Sequence, residues 1–447
     1  MKRKSWIILF LVAALVLLLV LGWLAFSRGS QGLFHPAPTP TAIPTGTLVP
    51  NRNPSTGGEF VVAEDAKFLL AGQPYYFVGT NFWQGMNLAV DGPEGNRALL
   101  VKELDRLKKL GITNLRVMAS SEGPNTEPYR MTPALMTSPG VYDESVLDGL
   151  DYLLAQMGRR GLKAVMVLNN YWYWSGGMPQ YVSWRDKTKI PSTSDWNNYN
   201  TYTARFYYCQ ECQSWYRDHI RMLIERVNPY TGKAYRDDPA VFSWELGNEP
   251  RNYPLDWVYD TAAYIKSLDS NHMVTTGSEG ALPDGTQNFL STHSSPDIDY
   301  ATIHIWPQNW GWYDPVNPSS FTSALARAHL YFSNAERDAA TMQKPFVLEE
   351  FGLARDYEPL KNIFEPGSPT TYRDRFYKAM FDQVYASMTA GGPAAGDNFW
   401  AWAGQSRPGY AWVGDPPHET PGWYSVYDID QSTIAVISAH AAQVGEL

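Results

Sequence analysis

Cysteine is nearly absent from this chain. Its 447 residues hold two, Cys209 and Cys212, in Cys-Gln-Glu-Cys. No second cysteine pair and no nearby histidine pattern completes a zinc site, so no structural metal is expected. A redox Cys-x-x-Cys opens a helix after a strand, whereas this pair reads as lying inside a helix. A local disulfide or two bystander thiols therefore remain, ahead of redox chemistry. Basic blocks are missing beyond Lys2-Arg3-Lys4, and the net charge is −9, which argues against a nucleic-acid partner. No Gly-x-Gly-x-x-Gly follows any strand-like run, which counts against a doubly wound nucleotide-binding sheet.

What is abundant is aromatic. Aromatic residues make up 14% of the chain, including 17 Trp and 28 Tyr. That exceeds what a core requires, and flat rings suit sugar stacking, although most of these rings are expected simply to pack. Trp6 to Phe26 is a run of 21 uncharged, mostly apolar residues, long enough to span a bilayer. With Lys2-Arg3-Lys4 before it, residues 1–28 read as a signal anchor with its basic end in the cytoplasm. A cleaved signal peptide is the alternative, with Ala25-Phe26-Ser27 the best processing site. Either reading exports the rest, to be secreted or held at the cell surface. Residues 29–58, rich in Pro, Thr and Gly, read as an extended tether. Residues 59–447 form the folded domain.

Within that domain apolar runs alternate with amphipathic ones. Strands are expected at Tyr76–Asn81, Thr113–Met118, Lys163–Asn169, Ala240–Leu246, Met273–Thr276, Tyr300–Ile305, Phe346–Glu349 and Asn398–Trp402. Helices fall between most of them, at Asn96–Leu110, Asp143–Arg160, Gln210–Val227, Trp257–Leu268, Ser323–Met342 and Tyr372–Thr389. Eight strands with intervening helices predict a single (β/α)8 barrel, whose chemistry sits at the C-terminal strand ends. Those ends carry Asn81, Arg116, Asn169, Asn170, Asn248, Glu249, His304, Trp306, Glu350 and Trp400.

Two of the ends stand out. Val-Phe-Ser-Trp-Glu-Leu-Gly-Asn-Glu-Pro (241–250) and Pro-Phe-Val-Leu-Glu-Glu-Phe-Gly (345–352) are apolar runs that stop on carboxylates. Two carboxylates facing each other across a pocket are what glycoside hydrolysis needs: a proton donor, and a nucleophile or base. Bland readings compete elsewhere. Glu245 lies too deep in its strand to be catalytic. Arg116 alone fits a buried ion pair, and His304 alone fits a core. Trp172, Trp174 and Trp184 fit loop rings that pack on each other.

The first motif resembles the acid/base motif of family 5 glycoside hydrolases, and the second resembles their nucleophile motif. Gly-Thr-Asn-Phe-Trp (79–83), Asn-Asn-Tyr-Trp-Tyr-Trp-Ser-Gly-Gly-Met-Pro-Gln-Tyr (169–181), Ile-His-Ile-Trp-Pro-Gln-Asn-Trp (303–310) and Asn-Phe-Trp-Ala-Trp (398–402) are similar to the β-mannanase branch. The resemblance spans about Glu59 to Asp430. It implies Glu249 as acid/base and Glu350, set directly before the aromatic-Gly, as nucleophile. Glu349 is the competitor: alternation lets only one of the two face the mouth, and the resemblance assigns that place to Glu350. Asn248 would bind the sugar 2-hydroxyl, Arg116 would keep the nucleophile ionised, and His304 would join the carboxylate network. Trp400 would stack beneath the sugar, with Asn169 and Trp83 supporting the site. One departure stands out: the family usually has Tyr where this chain has Trp306.

The implied reaction is retaining cleavage of internal β-1,4-mannosidic bonds, with the carboxyl groups ~5 Å apart and the pKa of Glu249 raised by its negative neighbour. No metal or organic cofactor is expected. The expected partner is a β-mannan polysaccharide or oligosaccharide, met by a monomer. A β-1,4-glucanase of the same family, and a non-catalytic tethered glycan-binding protein, remain as alternatives.

Overall fold

The structure, a computed structural model, describes residues 58–281, 287–358, 365–409 and 412–447. The expected anchor and nearly all of the expected tether, residues 1–57, lie outside them. Among the described residues no helix is long and apolar enough to cross a membrane.

Eight parallel strands form one sheet: Phe77–Asn81, Asn114–Met118, Lys163–Val167, Val241–Glu245, Met273–Thr275, Ala301–Ile305, Phe346–Phe351 and Ala394–Phe399. Seven of them are buried along their whole length, and only Lys163 of the third is half-buried. That explains why they read as continuous apolar runs rather than alternating ones: helices cover one face and side chains fill the other. The ladder runs from strand five back through strand one and on through eight, seven and six. Backbone bonds between strands five and six and their flanking residues close the remaining seam, Asp299 N–H to the Val274 carbonyl (2.8 Å) and His304 N–H to the Glu279 carbonyl (3.0 Å). The result is a (β/α)8 barrel, as the alternation predicts.

The helices follow from local chemistry. Arg97–Lys109 begins where the Asn96 side chain accepts the Leu99 N–H (2.9 Å). Leu100, Leu104 and Leu107 recur at helical spacing and are fully buried, each contributing ~1.5–3 kcal/mol. Basic residues Arg106, Lys108 and Lys109 occupy the last turn, where the helix dipole favours them. The chain then leaves through Gly111 at φ +86°, a conformation glycine adopts without strain.

Several elements depart from the sequence reading. Three short antiparallel strands, Val61–Glu64, Lys67–Leu70 and Gln73–Pro74, precede the barrel. They set Phe68 against Phe242 and Tyr300 (ring centroids 5.1 and 5.3 Å) and so plug the N-terminal end. The long aromatic loop after strand three instead folds into helices Gly177–Asp186 and Trp196–Tyr208. Its rings make a helical face too polar to register as amphipathic. Strand eight starts at Ala394 and ends before Trp400. The tail forms a helix, Gln431–Val444. Cys209 and Cys212 are joined in a disulfide, one of the two outcomes expected for them, and both are fully buried. Cys209 caps the helix Gln210–Glu225 rather than lying inside it.

Candidate active site

Each expected polar residue hangs from the C-terminal end of a barrel strand. Arg116 comes from the second strand, where its guanidinium is nearly fully buried. All five of its N–H donors are used: two go to Glu245 (2.7 and 2.6 Å), one each to Asn248 Oδ1 (2.8 Å) and Asn81 Oδ1 (3.0 Å), and one to Glu350. Glu245 is therefore the structural ion-pair partner its depth suggests, and the arginine is shared between that pair and the nucleophile candidate. Asn248 passes one amide N–H to Asn170 (3.1 Å), leaving the other for the cavity it lines.

Glu249 sits just past strand four at φ +49°, a left-handed backbone that costs a non-glycine residue on the order of 1 kcal/mol. Two backbone bonds hold it there: Glu249 N–H to the Gly277 carbonyl and Asn248 N–H to the Asn169 carbonyl, both 2.9 Å. One carboxylate oxygen of Glu249 and one of Glu350 lie within 4.8 Å of each other, with His304 between them. His304 Nδ1 is 2.8 Å from Glu249 Oε1 and 3.2 Å from Glu350 Oε2, and its Nε2 is 3.4 Å from Glu349.

Strict alternation fails where it matters most. The pairing of strands six and seven shifts register between Ile303 and His304, so that His304 pairs with Glu350. A second irregularity falls between Leu348 and Phe351 on the other side. Both Glu349 and Glu350 consequently approach His304 and Arg116. Depth separates them instead: Glu350 lines the cavity and Glu349 does not.

Charge inside this cluster is distributed differently from the sequence expectation. Burial opposes a charge on His304, but Glu350, Glu249 and Glu349 outweigh it and push the imidazole up to about 10. Burial would raise Glu249 too. The hydrogen bond from His304, helped by Arg251 and Trp172, instead pulls it down to about 2. The surroundings thus pull Glu249 down and push His304 up, the reverse of the raised Glu249 that was expected. Burial raises Glu350 above the usual carboxylate range, against the pull of His304 and Arg116. Glu245 rises to about 7, chiefly through burial and against Arg116.

A cavity of about 410 Å³ opens above these groups. Trp172, Trp196, Arg251 and Glu279 line it beside Glu249, and Trp306 and Trp400 beside Glu350. Among the described residues, Glu249, His304 and Glu350 are the one group with donor atoms close enough to share a metal ion. Arg116 and His304 already supply cationic charge there, so no ion is required to explain the buried carboxylates.

Residues 58–447 match the family described as GH family 5 beta-mannosidase-like. The chain belongs to that family. It is 39% identical in sequence to a glycoside hydrolase family 5 mannosidase from Rhizomucor miehei, with a TM-score of 0.82, covering 87% of this chain and 99% of that one. It is 32% identical to a putative mannan endo-1,4-beta-mannosidase 9 of Oryza sativa subsp. japonica, over 87% of this chain and 90% of that protein. With the mannan endo-1,4-beta-mannosidase 1 of Arabidopsis thaliana it shares 31% identity, over 76% and 81%.

In this family 5 chain, Arg116, Asn248, Glu249, His304, Glu350, Trp306 and Trp400 gather at one place, and two expected residues stand behind it. Asn169 does not line the main cavity; its Oδ1 accepts the Asn170 N–H (2.8 Å). Trp83 donates to the Gly414 carbonyl (2.8 Å) and packs edge-on against Trp174 and Trp412, as a back wall. Trp306 packs edge-on against Trp400 and Tyr424 (5.8 and 4.9 Å), so Glu350 takes its hydrogen bond from Arg116. Sequence reasoning missed Trp172, whose indole N–H reaches Glu249 Oε2 at 2.6 Å. It also missed the Arg251–Glu279 ion pair (2.5 Å). Arg251, two residues past Glu249, was findable from adjacency. Trp172 was hidden among many rings.

Proposed function

We propose that this enzyme hydrolyses β-1,4-mannosidic bonds within mannan-type polysaccharides, with retention, by double displacement. The observation that carries this reading is the pair Glu249 and Glu350, with carboxylate oxygens within 4.8 Å. So close an approach supports retention, since inversion needs roughly 6.5–9.5 Å between the carboxyl groups to seat a water. Glu350 attacks the anomeric carbon as the glycosidic C–O bond breaks. As Glu350 becomes an ester its negative charge disappears, and with it much of what holds the proton on His304. In the same step that proton passes 2.8 Å to Glu249 and on to the leaving oxygen, which leaves His304 neutral and Glu249 a carboxylate. Water, deprotonated by Glu249, then releases the sugar; Glu350 regains its charge and the proton returns to His304. Trp400 serves as the platform beneath the sugar and Asn248 as donor to a hydroxyl. The run Trp6–Phe26 supports export, with the catalytic domain tethered or released outside the cell.

A second reading, removal of single sugars from chain ends, is favoured by the packed wall of Trp83, Trp174, Trp412 and His418 beside the cavity. Product sizes from linear mannan, galactomannan, glucomannan and carboxymethyl cellulose decide between them. Mixed oligosaccharides are expected from mannan, mannose alone would establish chain-end action, and preference for cellulose would overturn the substrate. Glu350→Ala should abolish turnover with the fold intact, whereas Glu349→Ala should not. Wild-type activity in Glu350→Ala would sink the assignment.

A further inference from the structure

Both oxygens of Glu249 are occupied, by different partners. Oε1 meets His304 Nδ1 at 2.8 Å. Oε2 accepts the Trp172 indole N–H at 2.6 Å. An indole nitrogen donates and never accepts. A proton placed on Oε2 toward that ring would face another donor.

The ring itself is held from several directions. Its backbone N–H binds Asn170 Oδ1 (3.0 Å), the same atom that takes the Asn248 amide (3.1 Å), so the loop is tied to the acid/base strand end. Arg251 lies over the Trp172 ring at 5.2 Å and over Trp196 at 5.3 Å, and the two indoles stack at 5.6 Å and 25°. Glu279 anchors that arginine (2.5 Å). Such a stack is more than a loop ring needs merely to pack.

Resting on the acid/base reading of Glu249, we infer that Trp172 is a positioning residue: its N–H locks Oε2 as an acceptor, so the proton given to the leaving group travels on Oε1. The proton reaches Oε1 from His304 Nδ1 and leaves it toward the glycosidic oxygen, so one oxygen of the carboxyl serves both partners. In the first step Oε1–H breaks as the proton moves to the departing glycosidic oxygen, and Glu249 returns to carboxylate with Oε2 still bound to the indole.

The test is a series of aryl β-mannosides of similar size whose phenols differ in acidity, measured on Trp172→Phe and Trp172→Leu. Departure of dinitrophenolate needs no proton, while departure of a simple phenol does. The ratio of the two rates is independent of how much protein is folded. Both variants should lose ~10–100-fold on the poor leaving group, part of what general acid catalysis supplies, and keep dinitrophenyl turnover within a few-fold. The basic limb of the kcat/KM profile should also rise by about one pH unit, because a donor to the ionised form has been removed. Arg116, Arg251, Glu279, His304, Glu349, Glu350, His418 and Glu419 also face this region. All are unchanged in the variants, so a shift reads the lost N–H. An equal loss across the series, a stationary limb, or loss of dinitrophenyl turnover in both variants would overturn the inference, leaving Trp172 as a wall for stacking. Glu249→Ala, run alongside, separates the two levels. A steep series there with a flat Trp172 series defeats this inference alone, while a flat Glu249→Ala series removes the acid/base assignment and the inference with it.

Discussion

Replacing Arg116 by methionine perturbs the centre of the site most directly. The side chain is about 3% exposed and all its donors are engaged. Methionine keeps much of the volume and removes the charge. Glu245 loses both of its hydrogen bonds, Glu350 loses its only guanidinium, and Asn81 and Asn248 lose a donor. Removing one partner of a buried pair costs about 3–5 kcal/mol. Against a typical domain stability of about 5–15 kcal/mol, the variant should fold but melt early. The cost should also depend on pH. Glu245 titrates near 7 and Glu350 above the usual carboxylate range even with the arginine present. Without it both carboxyls rise further. A carboxyl whose folded pKa is raised contributes stability at low pH that is lost as pH rises through that value. The destabilisation should therefore be smaller at pH 5 than at pH 8. The acid limb of kcat/KM should move to higher pH, because the nucleophile ionises later. Urea unfolding at both pH values, with a pH–rate profile on an aryl mannoside, measures each part. A loss below about 1 kcal/mol with an unmoved acid limb would refute the view that this arginine sets the charge of the site.

Glu122 offers a cleaner pH test away from the catalytic cluster. Burial pushes its carboxyl up to about 8, and Oε2 accepts the Gly177 N–H at 2.6 Å. Its stabilising contribution is complete below about 4.5, the unfolded value, and is lost as pH rises through about 8. Glu122→Gln should thus match the wild type in mildly acidic urea melts and exceed it at pH 8–9; a variant less stable at both would contradict the assignment. Phe68→Ala should cost about 3–5 kcal/mol by opening a cavity in the barrel plug while leaving KM unchanged, since Phe68 packs at the end opposite the site. A changed KM would show that the plug shapes the cavity.

The barrel was legible in the sequence because strands buried on both faces must be apolar throughout, and the helices between them must be amphipathic. Phe346–Leu348 shows this most plainly, and the carboxylates Glu350 and Glu249, just past that run and past Val241–Glu245, gave away the site. Other features were illegible for identifiable reasons. Phe68 lies in a strand of four residues, too short for a period to show. The helix Trp196–Tyr208 buries Tyr, Thr and Phe where a pattern would need aliphatic residues.

Residue types and their order along the chain determined which groups reach the mouth of the barrel. Glu249, His304 and Glu350 follow from strand ends alone. Tertiary structure decided how those groups share charge and which neighbours hold them. A register shift beside His304 brought both Glu349 and Glu350 to the histidine, and depth alone told them apart. Trp172, 77 residues from Glu249, became its hydrogen-bond partner only through the fold. The upward push on His304 and the downward pull on Glu249 depend on distances of about 3 Å among buried groups. Sequence places such groups on strands; their interaction energies depend on separation and burial, which exist only once the strands are assembled.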